Sequence, residues 1–285
     1  MVSEKKPAPE PALLLVDNGS LRPEAIHGLR RTADNLTERL GRLVSPVSVL
    51  HSSKVPPEQL DGFPAETFAP ALRRRLHAGQ RHFRVLPYFI GPSRALTQYL
   101  PEVIAKLRAE NPEWADLRVD IAPALFDETC PDDRLPRALV ERIDHTIARH
   151  QLKQPAVIIV DHGSPEPKVA AARDMIGAQV HQLLGQRCSA FTVASMERRD
   201  GPEYDFNEPL LERALRNPDF ARDVVVALLF LGPGRHAGDG GDIAQICSAA
   251  EADVDGLHCV RTEPLGNHPL IEEILTEHAS LRLDR

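Results

Sequence analysis

Apolar, β-branched runs recur at residues 12–16, 46–50, 83–90 and 117–122, and again at 155–160, 189–195, 223–231 and 256–260. Short runs of this kind between polar segments predict buried strands. Between them, apolar positions advance by three and four. Ile26, Leu29, Ala33, Leu36, Leu40 and Leu43 predict a helix with one buried face. Leu135, Leu139, Ile143 and Ile147 predict a second, and Val169, Ala172, Ile176, Val180 and Leu183 a third. Strands alternating with helices imply right-handed crossovers and a mostly parallel sheet covered on both faces. The unbroken stretches VIIV and VVVALLFL suit central strands buried on both sides.

The pattern is also stated twice in residues. LLLVDNGS (13–20) returns as VIIVDHGS (157–164), and FIGPSRA (89–95) returns as FLGPGRH (230–236). The offsets are nearly equal, 161 − 17 = 144 and 230 − 89 = 141. A tandem duplication of one module follows. The expected fold is α/β: two similar doubly wound domains, each a mostly parallel four-stranded sheet flanked by helices. A tail over 1–11 precedes a first domain at 12–150 and a second at 151–285, joined at the polar stretch QLKQP. One sheet continuous through both halves is the less favoured alternative. Each half, at roughly 140 residues, is expected to bury a core of its own.

Composition narrows the function. The formal net charge is −7, which argues against non-specific binding to nucleic acid. No apolar run approaches the ~20 residues that span a bilayer, so no membrane association is expected. The start, MVSEKKPAPEP, lacks the apolar segment of a signal peptide and reads as a disordered tail. Cys130, Cys188, Cys247 and Cys259 form no CxxC pair, which favours buried thiols in a reducing cytoplasm over a cluster or structural zinc.

The two copies differ where chemistry would lie. Asn18 stands against His162 and Ala95 against His236, so the second half carries a pair of imidazoles that the first lacks. Ligands of open α/β sheets bind beyond the carboxyl ends of the strands. Both histidines directly follow a predicted strand, and topology should bring them to one rim although 236 − 162 = 74 positions separate them. Glu197, following the strand at 189–195, is either a third member of this group or a solvated loop carboxylate. Asp161 either orients His162 or caps the turn, and Ser164 reads as a turn or N-cap residue near the cleft, not a nucleophile. The loop GPGRHAGDGGDI (232–243) offers backbone N–H groups, with Gly234 and Arg235, to an anionic ligand. A nucleotide phosphate competes for that role, though GxxxxGK[ST] is absent.

In their order and spacing these motifs resemble the class II chelatases, the family of sirohydrochlorin chelatases of the CbiX and SirB type. The carrying segments are the DHGS turn, FLGPGRH, Met196-Glu197 and PLGNHPLIEEIL (264–275). The resemblance implies a lyase that inserts Co2+ or Fe2+ into sirohydrochlorin or a close relative without ATP, in cobalamin or sirohaem synthesis. The ion is then a substrate, with no permanently bound cofactor. It implies His162 and His236 as metal ligands and catalytic residues, one imidazole able to accept a pyrrole proton, with Glu197 as a third catalytic member that neutralises the cation or takes protons. Gly234, Arg235, Ser164 and, from the other half, Arg94 and Tyr88 would line the tetrapyrrole site. A non-catalytic tetrapyrrole or metal carrier of the same fold is the alternative, and the chain is expected as a monomer or homodimer. In this family the acidic-aliphatic pair follows the histidine by about three residues, whereas here Asp242-Ile243 follow the extra GDGG. His51 is aligned with Ser195 at the end of the corresponding strand.

Overall fold

The computed structural model describes residues 10–129 and 132–281. Most of the expected tail and Cys130 lie outside the described residues. Every predicted strand is present. β1 (Ala12–Asp17), β2 (Val44–Ser48), β3 (His82–Pro87) and β4 (Arg118–Ile121) form one parallel sheet in the order β2-β1-β3-β4. β5 (Ala156–Asp161), β6 (Phe191–Ser195), β7 (Asp223–Leu228) and β8 (His258–Arg261) repeat that order in a second parallel sheet. The helices are α1 (Pro23–Leu40), α2 (Phe68–His77), α3 (Leu100–Glu110), α4 (Arg134–His150), α5 (Pro167–Leu184), α6 (Leu211–Leu215), α7 (Asp242–Asp253) and α8 (Pro269–Ser280). None is long and apolar enough to cross a membrane.

Two positions of the predicted helical faces differ. Gly41 ends α1 in the left-handed conformation (φ 62°), so Leu43 falls beyond the helix and is 75% exposed. In α5 the buried stripe runs through Ala172, Ile176, Val180 and Leu184, while Leu183 points outward. The step from Val180 is four residues, not three.

The larger difference is in how the core is shared. α2 and α3 cover the outer face of the first sheet, with Leu14 and Val16 packed on Phe68, Leu72 and Ile104. α6 and α7 do the same for the second, around Ile158, Val160, Leu211 and Ile243. Between the sheets lie α1, α4, α5 and α8, whose apolar faces merge into one core containing residues of both halves. The carboxyl-terminal helices are exchanged. α4, from the first half, packs on α5 and β7 through residues such as Leu139 and Ile143. α8, from the second, packs on α1 and β3. Arg84 in β3 fastens it, donating to the carbonyls of Ala279 (2.9 Å) and Leu281 (2.6 Å) at the end of α8. The expectation that each half buries its own core therefore holds only for the outer faces.

Residues 151–285 expressed alone lack α4 and leave side chains of α5 and β7 such as Ile176 and Val225 without that cover, each such side chain worth about 1.5–3 kcal/mol when buried. The fragment is expected to lack a cooperative thermal transition by circular dichroism. Adding residues 1–150 in trans should restore it, whereas a cooperative melt of the fragment alone would contradict a shared core.

Candidate functional site

In the order β6-β5-β7-β8, β5 and β7 are neighbours, so the loops that follow them emerge side by side at the carboxyl edge. These loops carry His162 and His236. Their ring centroids are 4.6 Å apart with the planes inclined at 65°. The side chains are 46% and 27% exposed, so neither is sealed in the core.

The first loop depends on a glycine. Gly163 has φ +88°, and a Cβ there would lie 1.9 Å from the carbonyl oxygen of Glu197. The chain after β6 crosses at this point, with the Glu197 N–H donating to the His162 carbonyl at 3.2 Å. That crossing brings Glu197 to His162, Oε1 to Nε2 at 3.4 Å. Beneath it, Asp161 accepts from Ser195 Oγ (2.6 Å) and from the Gly163 N–H (3.0 Å). Arg173, a guanidinium that is 2% exposed, stands 3.9 Å from the same carboxylate and donates to Ser195 Oγ at 2.5 Å. Burial pushes the Asp161 carboxyl upward, opposed by Ser195, Arg173 and the Gly163 amide. Asp161 thus anchors the loop from below, while Ser164 braces it: its N–H donates to Asn207 Oδ1 (2.9 Å) and Asn207 Nδ2 donates to its carbonyl (2.9 Å).

The second loop is held by Asp242. The GDGG spacer folds back through a Gly241 N–H bond to the Gly238 carbonyl (3.0 Å). A Cβ on Gly241 would lie 2.6 Å from the Arg235 carbonyl oxygen, so the turn needs glycine there. Asp242 then reaches His236, Oδ2 to Nδ1 at 2.6 Å. The longer spacing is absorbed within the loop. Asp242 is the first residue of α7, and the Ile243 N–H donates to the His236 carbonyl at 3.2 Å.

Each imidazole thus has Nδ1 beside an acceptor, Asp242 for His236 and the Gly163 carbonyl (3.0 Å) for His162. A ring that donates from Nδ1 presents its lone pair at Nε2, the arrangement of a metal-binding histidine. In His162 that nitrogen faces the Glu197 carboxylate, two electron-rich groups whose approach a cation relieves. Among the described residues no three His, Cys, Asp or Glu side chains form a closed ion cage. Two imidazoles with an adjacent carboxylate leave coordination positions open.

The histidines open into a cleft of about 1120 Å3 between the two halves. Gly234, Arg235 and Ser164 line it from the second half, and Arg94 and Tyr88 from the first. Glu197 lies outside this lining, at the rim. Tyr88 is largely buried; its hydroxyl is 3.5 Å from the Leu231 carbonyl, and burial raises it to about 12.

The first half repeats the frame without the two histidines. Gly19 has φ +91°, and a Cβ there would meet the Leu50 carbonyl oxygen at 1.8 Å. Asp17 pairs with Ser48 across the strands as Asp161 pairs with Ser195. Leu50 is therefore the counterpart of Glu197. His51 corresponds to Arg198, not to Ser195, because the strand register and the glycine crossing fix the alignment three residues away. It lies on an exposed turn with φ 68° and does not line the cleft. Leu29 lies where α5 has Arg173, since 173 − 29 equals 161 − 17. Asp17 accordingly has no guanidinium beside it; its Oδ1 is buried without a hydrogen-bond partner, and burial raises its carboxyl to about 6 against the pull of Ser48.

Residues 156–280 match the CbiX family model. The resemblance to the class II chelatases thus rests on the half that carries His162, Glu197 and His236. Solved structures share the fold of the whole chain. SirB from Bacillus subtilis with Fe3+ is 14% identical with a TM-score of 0.66, covering 95% of this chain and 94% of its own. CbiX, the terminal enzyme for biosynthesis of siroheme in denitrifying bacteria, is 15% identical with a TM-score of 0.58, covering 96% and 100%. A multi-domain protein from Deinococcus radiodurans with structural similarity to chelatases is 15% identical with a TM-score of 0.55, covering 95% and 54%. No curated protein matches the chain in sequence.

Removing the carboxylate that holds His236, by Asp242→Ala, is expected to weaken cobalt(II) binding about 10–100-fold in a calorimetric titration. Unchanged affinity would show that Asp242 does not orient the ring. Asp17 yields a pH prediction. With the folded carboxyl near 6 and the unfolded one near 3.9, the folded chain holds the extra proton between those values. Its contribution is complete below about pH 4 and lost as pH rises through 6, at about 1.4 kcal/mol per unit. Asp17→Asn should therefore melt above wild type at about pH 7.5 and lose that advantage near pH 4. A lower melting point at the higher pH would contradict a carboxylate destabilised by burial.

Proposed function

We propose that this protein inserts a divalent transition metal, Co2+ or Fe2+, into sirohydrochlorin or a closely related tetrapyrrole, without ATP. The observation that carries this reading is the meeting of His162 and His236 at 4.6 Å on the wall of a two-sided cleft. The match of residues 156–280 to CbiX supports it. Imidazole nitrogen suits both ions, and two such ligands beside one carboxylate bind firmly enough to strip water yet leave positions for ring nitrogens.

In this mechanism the ion is a substrate. It enters at the exposed rim, where Glu197 lowers the cost of bringing a dication to His162, and settles on the two Nε2 atoms. Asp242 and the Gly163 carbonyl hold the rings while the ion sheds water. The macrocycle enters between the halves, and its nitrogens replace the imidazoles as its N–H protons depart. Arg235 and Arg94 lie on opposite walls of the cleft and suit the acidic side chains of a polycarboxylate ring. The cytoplasm, as the site of supply for a reduced ring and a reduced ion, fits this reading.

The test is metal insertion followed by absorbance, with sirohydrochlorin and cobalt(II), against the spontaneous rate. Wild type is expected to exceed the buffer rate. His236→Ala should abolish the excess, a loss of at least about 100-fold, with its melting transition retained. Ring binding without any acceleration would make the protein a carrier, and an undiminished His236→Ala rate would place the site elsewhere.

A further inference from the structure

The proposed reaction releases two ring N–H protons for every ion inserted. An imidazole accepts no proton at Nε2 while it holds the ion, and the dication disfavours protonation on its own side of the ring. A group elsewhere on the cleft that takes and releases a proton near neutral pH is free to accept throughout the exchange.

The first half supplies a carboxyl on the cleft with one oxygen that no donor among the described residues meets. Asp17 lines the cleft at the carboxyl end of β1. Its counterpart Asp161 is held by a serine, a backbone amide and a buried guanidinium, and anchors the metal-bearing loop. Asp17 keeps the serine, Ser48, and the amide, that of Gly19, while Leu29 replaces the guanidinium and Oδ1 is left without a partner. The titratable and charged groups that face this corner are Tyr88 at the end of β3, Arg31 on α1 and Glu272 on α8. Tyr88 stays protonated, with its hydroxyl raised to about 12. Glu272 is engaged, accepting from Asn35 Nδ2 at 2.6 Å and standing 3.5 Å from Arg39. Of the two carboxyls, Asp17 is the one without a cationic partner, and its value of about 6 suits exchange with solvent near neutrality.

Building on the chelatase reading, we propose that Asp17 is the proton acceptor of the reaction, acting from the first half in the cleft that the histidines line from the second. As each ring nitrogen engages the ion, its N–H bond breaks and the electron pair stays on nitrogen as the new bond to the metal. The proton forms an O–H bond on the Asp17 carboxylate and passes to solvent before the second follows. The first half, stripped of its imidazoles, is in this view the half that removes protons.

The experiment uses the full chain with sirohydrochlorin and cobalt(II), following insertion rates between about pH 5 and 8, with metal binding and ring binding measured separately. Asp17→Asn is expected to lower kcat about 100-fold while both binding constants hold, and Asp17→Glu to recover part of the loss. The acid limb of the wild-type profile, with a component at about 6, should become shallower in Asp17→Asn. Leu29→Arg places a guanidinium where α5 has Arg173, and should move that component to lower pH. An Asp17→Asn enzyme with wild-type kcat and an unaltered profile overturns the assignment, as does a Leu29→Arg profile that does not move. A wild type no faster than buffer instead overturns the chelatase reading, and does so before any substitution is made.

Discussion

The site depends on a crossing of two loops that leaves no room for a side chain. At Gly163 the chain after β5 passes against the chain after β6 so closely that a Cβ would sit inside the Glu197 carbonyl. The positive φ and the missing side chain are both required, and only glycine supplies both without strain. This contact sets His162 and Glu197 side by side, and its base is tied to Asp161, Ser195 and Arg173. A buried guanidinium is costly unless its donors are met. Here they reach Ser195, Asp174 and the carbonyls of Phe206 and Asn207, so the charge holds three segments in register. The flexible part of the site is thereby reduced to the side chains themselves.

The same crossing persists at Gly19 and Leu50, in the half without the histidine pair. The conserved part of the duplication is thus the backbone frame, and the chemistry has been distributed over it unequally. One copy has histidine, glutamate and histidine at positions where the other has asparagine, leucine and alanine. One has a guanidinium under its strand-end aspartate, and the other a leucine. These differences are coupled in their effect. With Arg173 beside it, Asp161 is tied into a buried polar network; without a cationic partner, Asp17 is a carboxyl whose burial raises it to about 6. A cleft between such halves has two chemically different walls, as a reaction needs when a cation enters and protons leave.

Much of this was legible in the residues. The apolar runs marked all eight strands, and the two matched anchors gave the duplication and located the histidines on adjacent strand ends. What periodicity could not state was the partner of each buried face. α4 and α8 show ordinary amphipathic spacing, which says that a stripe is covered but not by which sheet, so the exchange and the common core were hidden. The alignment of His51 with Ser195 slipped by three because the segments after β2 and β6 share little sequence beyond one serine; the anchoring glycines lie on other loops. Arg173 was missed for a different reason. A charge inside a helical pattern reads as solvent-facing, yet Val169, Arg173, Ile176 and Val180 fall on one stripe, and a cation on an apolar stripe is the signal of a buried partner.

On the chelatase reading, two imidazoles beside one carboxylate suit transit of an ion better than residence. A structural metal site gains from every added ligand, since each one slows loss of the ion. A protein that passes an ion onward gains nothing from a ligand that the acceptor must displace. Two rings aimed by Asp242 and the Gly163 carbonyl need no further reorganisation, so the ion can be captured with little entropy lost in the protein. Both rings line the cleft, where, on that reading, the nitrogens of an incoming macrocycle would compete with imidazole. Binding that is well oriented but incomplete in ligand number therefore follows from the same geometry that holds the histidines apart from the core.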